Sequence, residues 1–219
     1  MNSVMKYRLK AVTVFAVWCG AILLPAWSGA QEFKKVTDPD AVYRELRQNS
    51  ERINSLEAQF REVKYLSYLK EPQKSSGRFV YEKKDKMRWE QVVPASYVIL
   101  INGSSLRVND GGKEKNVKSA GPVAGMVREM LLMMVNGDYQ NSRGFAKELY
   151  QNSAHYLVVM KPLEKRLKQR FERLEMQFSK NGAGLRQLTF FEKGGDRQVM
   201  SFHDEKINGA INQALFTQF

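Results

Sequence analysis

The chain has 219 residues, 43% of them hydrophobic, and 35 Lys and Arg against 23 Asp and Glu, for a net charge of +12. That length suits one domain, or at most two small ones, with ample chain to bury a core. One cysteine and two histidines exclude a disulfide framework and a Cys-rich zinc or iron–sulfur site, and leave little for a His-based metal centre.

Residues 1–30 read as a secretory signal peptide. Lys6, Arg8 and Lys10 precede an apolar run from Ala11 to Leu24, followed by Pro25 and Ser28-Gly29-Ala30. This is the basic head, short apolar stretch and small-residue cleavage site of an export signal. The run is about 14 residues long, where a membrane-spanning helix takes roughly 20. Cys19 follows the bulky Trp18, which does not suit a lipid-attachment site, so it is expected to leave with the signal. The remaining 31–219 would be a single soluble domain without cysteine, at about +9 once those three cations are gone. In a Gram-negative cell that places it in the periplasm.

Asp38-Pro39 is a helix start, with Asp as cap and Pro in the first turn. Val42, Leu46 and Ile53 share a stripe, predicting an amphipathic helix over 39–53. From Leu56 the period becomes two: Leu56, Ala58 and Phe60, then, after a one-residue slip, Val63, Tyr65, Ser67 and Leu69. This predicts a long strand with a bulge or bend. Strand signals recur at Phe79 and Tyr81, Met87 and Trp89, Tyr97–Ile101 and Leu106–Val108, with turns at Asn102-Gly103 and Asp110-Gly111-Gly112. A second set runs through Tyr156–Met160, Phe171–Phe178, Leu185–Phe191 and Gln198–His203, with turns at Asn181-Gly182 and Gly194-Gly195. Nine or more strands joined by short turns predict one large, curling antiparallel sheet with one face covered.

Between the two sets, 121–136 is a helix opened by Gly121-Pro122 and closed by Asn136-Gly137. Its apolar residues, Val123, Met126, Val127, Met130, Leu131, Met133, Met134 and Val135, leave a polar edge only at Arg128 and Glu129. Such a helix must be buried over most of its circumference.

Catalytic patterns are lacking: there is no phosphate-cradling Gly-rich loop, no HExxH and no Gly-x-Ser-x-Gly, and neither His155 nor His203 sits in a nucleophile motif. Asp85, Asp204 and Glu205 read as solvated turn residues. No enzyme, metal or cofactor is expected. The stretch 161–170, Lys-Pro-Leu-Glu-Lys-Arg-Leu-Lys-Gln-Arg, reads as a solvated loop or as a transient contact with an anionic membrane surface. Nucleic acid would need aromatics and cations on one face, and here they alternate. The Met-rich helix reads either as an ordinary core element or as a lid over a cavity for acyl chains, since methionine adapts to varied apolar partners.

The stretch from Gly77 to Pro94, Gly-Arg-Phe-Val-Tyr-Glu-Lys-Lys-Asp-Lys-Met-Arg-Trp-Glu-Gln-Val-Val-Pro, resembles the signature of the periplasmic outer-membrane lipoprotein carriers, the LolA family. Val98–Ile101 with Asn102-Gly103, the strand opening Leu56-Glu-Ala-Gln-Phe60, and the Met-rich helix at the lid position fit the same pattern. The segment through Phe202, Asn208, Ile211 and Leu215-Phe216 is similar to the family's closing strand region. The resemblance implies a mainly β protein with helices (α+β), an incomplete antiparallel β-barrel closed by lid helices over a hydrophobic cavity. Phe60, Phe79, Tyr81, Met87, Trp89, Ile99 and Ile101 would line that cavity, and Met126, Val127, Met130, Leu131 and Met134 would form the lid. Lys83 falls where members carry a lid-latching Arg, and supplies a point charge instead of a planar fork. The implied function is a monomeric periplasmic carrier taking acylated lipoproteins from an inner-membrane exporter to an outer-membrane acceptor. A carrier of another amphiphile, such as a glycolipid or polyene lipid, and a partner-binding or lipid-sensing module share the fold.

Overall fold

The computed structural model describes residues 32–115, 117, 121–137, 139, 144–181 and 184–219, and of 121–124, 126 and 127 the backbone alone. The signal-peptide reading of 1–30 lies outside the described residues.

The Asp38 carboxylate accepts a hydrogen bond from the Ala41 amide at 3.2 Å and Pro39 opens the first turn, which fixes the start of α1 (Pro39–Glu51). Val42, Tyr43 and Leu46 form its buried stripe. Then come β2 (Ser55–Tyr65), β3 (Gln73–Glu82), β4 (Lys86–Val93), β5 (Tyr97–Asn102), β6 (Ser105–Asp110) and β7 (Lys113–Lys115), preceded in the chain by the two-residue β1 (Lys34–Lys35). Helix α2 (Gly121–Asn136) leads to β8 (Phe145–Gln151), β9 (His155–Pro162), α3 (Lys165–Arg170), β10 (Phe171–Ser179), β11 (Leu185–Glu192) and β12 (Arg197–Ile207). Among the described residues these strands make one antiparallel sheet in the order β1-β8-β9-β10-β11-β12-β2-β3-β4-β5-β6-β7. Two meanders therefore meet at the β12–β2 seam, and α2 carries the chain from one sheet edge to the other. The outermost strands, β1 and β7, do not pair with each other, so the barrel is incomplete.

The bulge expected in β2 is absent. Pairing to β3 runs in unbroken register from Ser55 to Lys64, so Ala58, Phe60 and Glu62 all point inward, and Val63 and Tyr65 point away. The alternation reading set a one-residue slip between Phe60 and Val63. The fold instead buries Glu62 and satisfies it with polar neighbours. The 161–170 loop is also corrected, because 165–170 is helical. The proposed closing strand ends at Ile207, and beyond it Gln213–Phe216 is a 3-10 turn.

That turn covers the outer face of β4 and β5, where Phe216 is buried. Arg88, also buried, sends Nη1 to the Leu215 carbonyl at 3.2 Å and the Gln218 carbonyl at 2.6 Å, and Nε to Glu90 at 2.8 Å. Arg107 adds a bond to the Thr217 carbonyl at 2.8 Å. Arg88→Met is expected to cost about 2 kcal/mol, the scale of charge-assisted hydrogen bonds lost from a buried donor. Limited proteolysis should then clip residues 212–219 first, and a clipping pattern like that of the wild type would show that the strap holds without Arg88.

Candidate functional site

Antiparallel register arranges the inner face in rows. Tyr81, Met87 and Ile101 lie side by side in one row, and Phe79, Trp89 and Ile99 in the next. The row beyond holds Phe202, Phe60, Gly77 and Gln91. Gly77 is required there. A Cβ on it would fall on the Glu90 carbonyl oxygen and 2.8 Å from Gln91 Cα, at the register shift between β3 and β4. Because Gly77 has no side chain, Phe60 and Trp89 meet across the intervening strand with ring centroids 4.6 Å apart. Phe79 and Phe202 pack edge-on against Trp89 at 5.8 and 6.0 Å, a geometry aromatic pairs favour.

Helix α2 lies against these rows. Leu131, Leu132, Met133 and Met134 are four consecutive buried residues, as expected of a helix apolar on nearly all sides. Its C-terminal end is pinned. The Tyr81 hydroxyl donates to Asn136 Oδ1 at 2.7 Å, and burial, with Asp85 nearby, pushes that hydroxyl up to about 12, so it keeps its proton. Gly137, in the left-handed region at φ +67°, packs against α1, where a Cβ would lie 2.6 Å from Ser50 Oγ. Farther along, Arg128 Nε donates to the Gly103 carbonyl at 2.8 Å and its Nη2 is 3.6 Å from Asp85.

Beside Met130 and Leu131 of α2 the packing gives way to a cavity of about 420 Å³, within the range of small-molecule sites. Trp89, Ile99, Leu188, Phe190 and Met200 supply its apolar floor, and Met130 and Leu131 of α2 one wall. Helix α3 supplies another wall through Leu167, with Arg166 and Arg170 at the rim. A polar strip crosses the floor. The Glu62 carboxylate accepts from Ser75 Oγ and Gln198 Nε2, and Lys64 Nζ stands 3.5 Å away. Toward the other end of the molecule, the space between α2 and the sheet shrinks to crevices of about 30 Å³ bounded by Phe79, Met134, Leu185 and Glu205.

The residues proposed from sequence therefore divide. Trp89, Ile99, Met130 and Leu131 line the cavity. Phe79 and Met134 line a crevice, whereas Phe60, Tyr81, Met87 and Ile101 are buried in the core beside it. The side chains of Met126 and Val127 lie outside the described residues. Lys83 stands one residue past β3, and its ammonium donates to the Glu51 carbonyl at the end of α1, at 2.9 Å; α2 is instead held by Tyr81 at Asn136, by the Tyr139 hydroxyl donating to the Met134 carbonyl at 3.0 Å, and by its own Arg128 at Gly103. Sequence reasoning missed Glu62, Leu188, Phe190, Met200 and the whole α3 wall. The parity of β11 and β12 would have found Leu188, Phe190 and Met200.

His203 bonds Asp204 at 2.8 Å and is part-exposed, and neither it nor His155 touches the cavity. Among the described residues no cluster of three His, Cys, Asp or Glu could hold a metal ion. Glu205 is not a solvated turn residue. It lies against Gly184, 3.1 Å from Arg186 Nη1, and burial pushes its carboxyl up, with Arg186 partly opposing. The folded state thus holds this proton to higher pH than the unfolded chain, so the Glu205 contribution is favourable in acid and lost as pH rises through the carboxylate range. Glu205→Gln should raise the melting temperature at neutral pH and leave it unchanged in acid. An equal shift at both pH values would assign the effect to packing.

The profile described as "Outer membrane lipoprotein carrier protein LolA" matches residues 51–218. The chain belongs to the LolA family. The resemblance drawn from Gly77–Pro94 thus holds across β2 to the C-terminal strap. No curated protein sequence matches the chain. Among solved structures, the LolA superfamily protein NE2245 from Nitrosomonas europaea is 10% identical, with 79% of this chain and 96% of that one covered at a TM-score of 0.41. LprF from Mycobacterium bovis is 14% identical, with 80% and 97% covered at 0.40. The Pseudomonas aeruginosa MucA/MucB complex contains a chain 12% identical, with 82% and 60% covered at 0.44.

Proposed function

We propose that this chain is a non-catalytic periplasmic carrier that shelters acyl chains of lipoproteins, passing them from an inner-membrane exporter to an outer-membrane acceptor. The observation that supports this reading is the 420 Å³ cavity between α2, α3 and the inner sheet face. Each methylene moved into such a site is worth about 0.8 kcal/mol, so a few buried carbons give useful affinity without polar recognition of the tail. Release requires that affinity stay moderate. The polar bonds of α2 at Tyr81–Asn136, Tyr139–Met134 and Arg128–Gly103 are ones a population shift would exchange as acyl chains replace contacts between α2 and the floor.

Trp89 reports on occupancy. It is the one Trp beyond residue 30, and it lines the cavity. In a chain starting at residue 31, titration with a long-chain acyl amphiphile should shift its emission and saturate, and native mass spectrometry of the purified protein should find acylated material bound. Bound glycolipid or polyene lipid would assign a different cargo to the same cavity. A flat Trp89 titration together with a lipid-free protein would overturn the carrier reading.

A further inference from the structure

We propose that the end of the sheet surrounding the cavity mouth docks on a bilayer bearing anionic headgroups, which goes beyond the carriage of acyl chains. Antiparallel order puts the β2–β3, β4–β5 and β11–β12 turns and the β9–α3–β10 link at one end of the sheet. Contacts tie them together: the Ser67 amide donates to Asp196 at 2.7 Å, and the Lys193 amide to the Arg170 carbonyl at 2.8 Å. This is also the end where Lys64, Tyr97, Arg166 and Arg170 line the cavity.

Exposed large apolar side chains gather there. Among the described residues, all but Ile207 and Phe219 belong to this end, including Tyr68 at 76% exposure, Val92 at 56%, Val93 at 54% and Leu163 at 50%. They stand on or beside three separate connections, β2–β3, β4–β5 and β9–α3. Beside them the 161–170 link carries Lys161, Lys165, Arg166, Lys168 and Arg170 against Glu164 alone, and no residue of α3 is buried. Projecting apolar and tyrosine side chains ringed by long cations match the layering of a membrane interface. The tips enter the acyl boundary while the ammonium and guanidinium groups reach headgroup phosphates. Docked this way, the cavity opens toward the lipid, so a chain passes between leaflet and cavity without crossing water.

The test is co-sedimentation of the chain starting at residue 31 with phosphatidylcholine vesicles, with and without phosphatidylglycerol. The protein should sediment with the phosphatidylglycerol vesicles and bind the neutral ones far more weakly, and salt should reduce the difference. Lys165→Gln with Lys168→Gln should weaken binding about twenty-five-fold, since a basic residue at an anionic surface contributes roughly a factor of five. Lys165→Arg with Lys168→Arg should restore it. Tyr68→Ser with Val93→Ser should weaken binding to a similar extent. None of these four residues lines the cavity, so every variant should keep the wild-type affinity for a soluble acyl probe, which also shows that it folds. Docking is overturned if wild type binds both vesicles alike, if both double variants bind undiminished, or if Ile207→Ser, at the opposite end, causes the same loss. Retained probe binding without vesicle binding removes the docking and leaves the carrier reading intact. Vesicle binding without probe uptake does the reverse.

Discussion

Placing an indole at position 188 should shut out acyl guests while leaving the protein folded. Leu188 lies on β11 between Met176 and Met200 in register, nearly fully buried, yet its side chain faces the cavity. In Leu188→Trp the added ring atoms have void to enter, so the overpacking cost of about 1–3 kcal/mol seen in dense cores falls at its lower end. If the ring displaces about four methylenes of guest, the loss is about 3 kcal/mol, or roughly 200-fold in affinity. A displacement assay with a fluorescent acyl probe measures this, and circular dichroism and the melting temperature report the fold. Undiminished uptake would mean that the tails lodge elsewhere on the protein.

Gly77→Val should be the most damaging single substitution on the sheet. Its Cβ would meet the Glu90 carbonyl and the Gln91 backbone, which belong to a hydrogen-bonded neighbour strand and cannot swing aside as a side-chain tip can. Branching at Cβ would also drive a methyl between Phe60 and Trp89, separating a ring pair that gains about 1 kcal/mol from its geometry. The combined cost is about 3 kcal/mol. A urea titration should show the midpoint fall with little change in slope. A midpoint within error of wild type would show that β4 can move off β3 at that register shift.

Strand positions, turn glycines and the bounds of α2 were legible because each rests on local chemistry: alternation, positive-φ residues and an apolar run with a Pro start and a Gly stop. The positive φ values at Gly103, Gly111, Gly112, Gly137, Gly194 and Gly195 are where the turn and helix-stop residues pointed. The misses have equally specific causes. In β8, Phe-Ala-Lys-Glu-Leu-Tyr-Gln contains no β-branched residue and owes its strand to pairing with β9. In α3, one turn and a half of cations around Leu167 looks like a loop, and only the cavity wall it completes makes the helix meaningful. Glu62 fell in the slip between Phe60 and Val63, since a carboxylate in a core strand is costly alone, and its partners, Ser75 on the next strand and Gln198 on β12, appear only once the strands pair. The family resemblance supplied the expectation of a hollow beside α2. Periodicity identified the inner face, but which part of that face stays unfilled depends on where α2 comes to rest, a tertiary fact no local pattern encodes.

The sheet's two free margins carry a consequence for the protein in concentrated solution. A ribbon of this width that never closes on itself offers ladder groups at both borders to any passing extended segment, the usual route to fibrous association. Here the border strands are only two and three residues long, Lys34–Lys35 and Lys113–Lys115, and both are fully exposed and predominantly cationic. Two copies approaching border to border bring ammonium groups against each other before any ladder can form, so the sheet stays open without inviting its neighbours to polymerise.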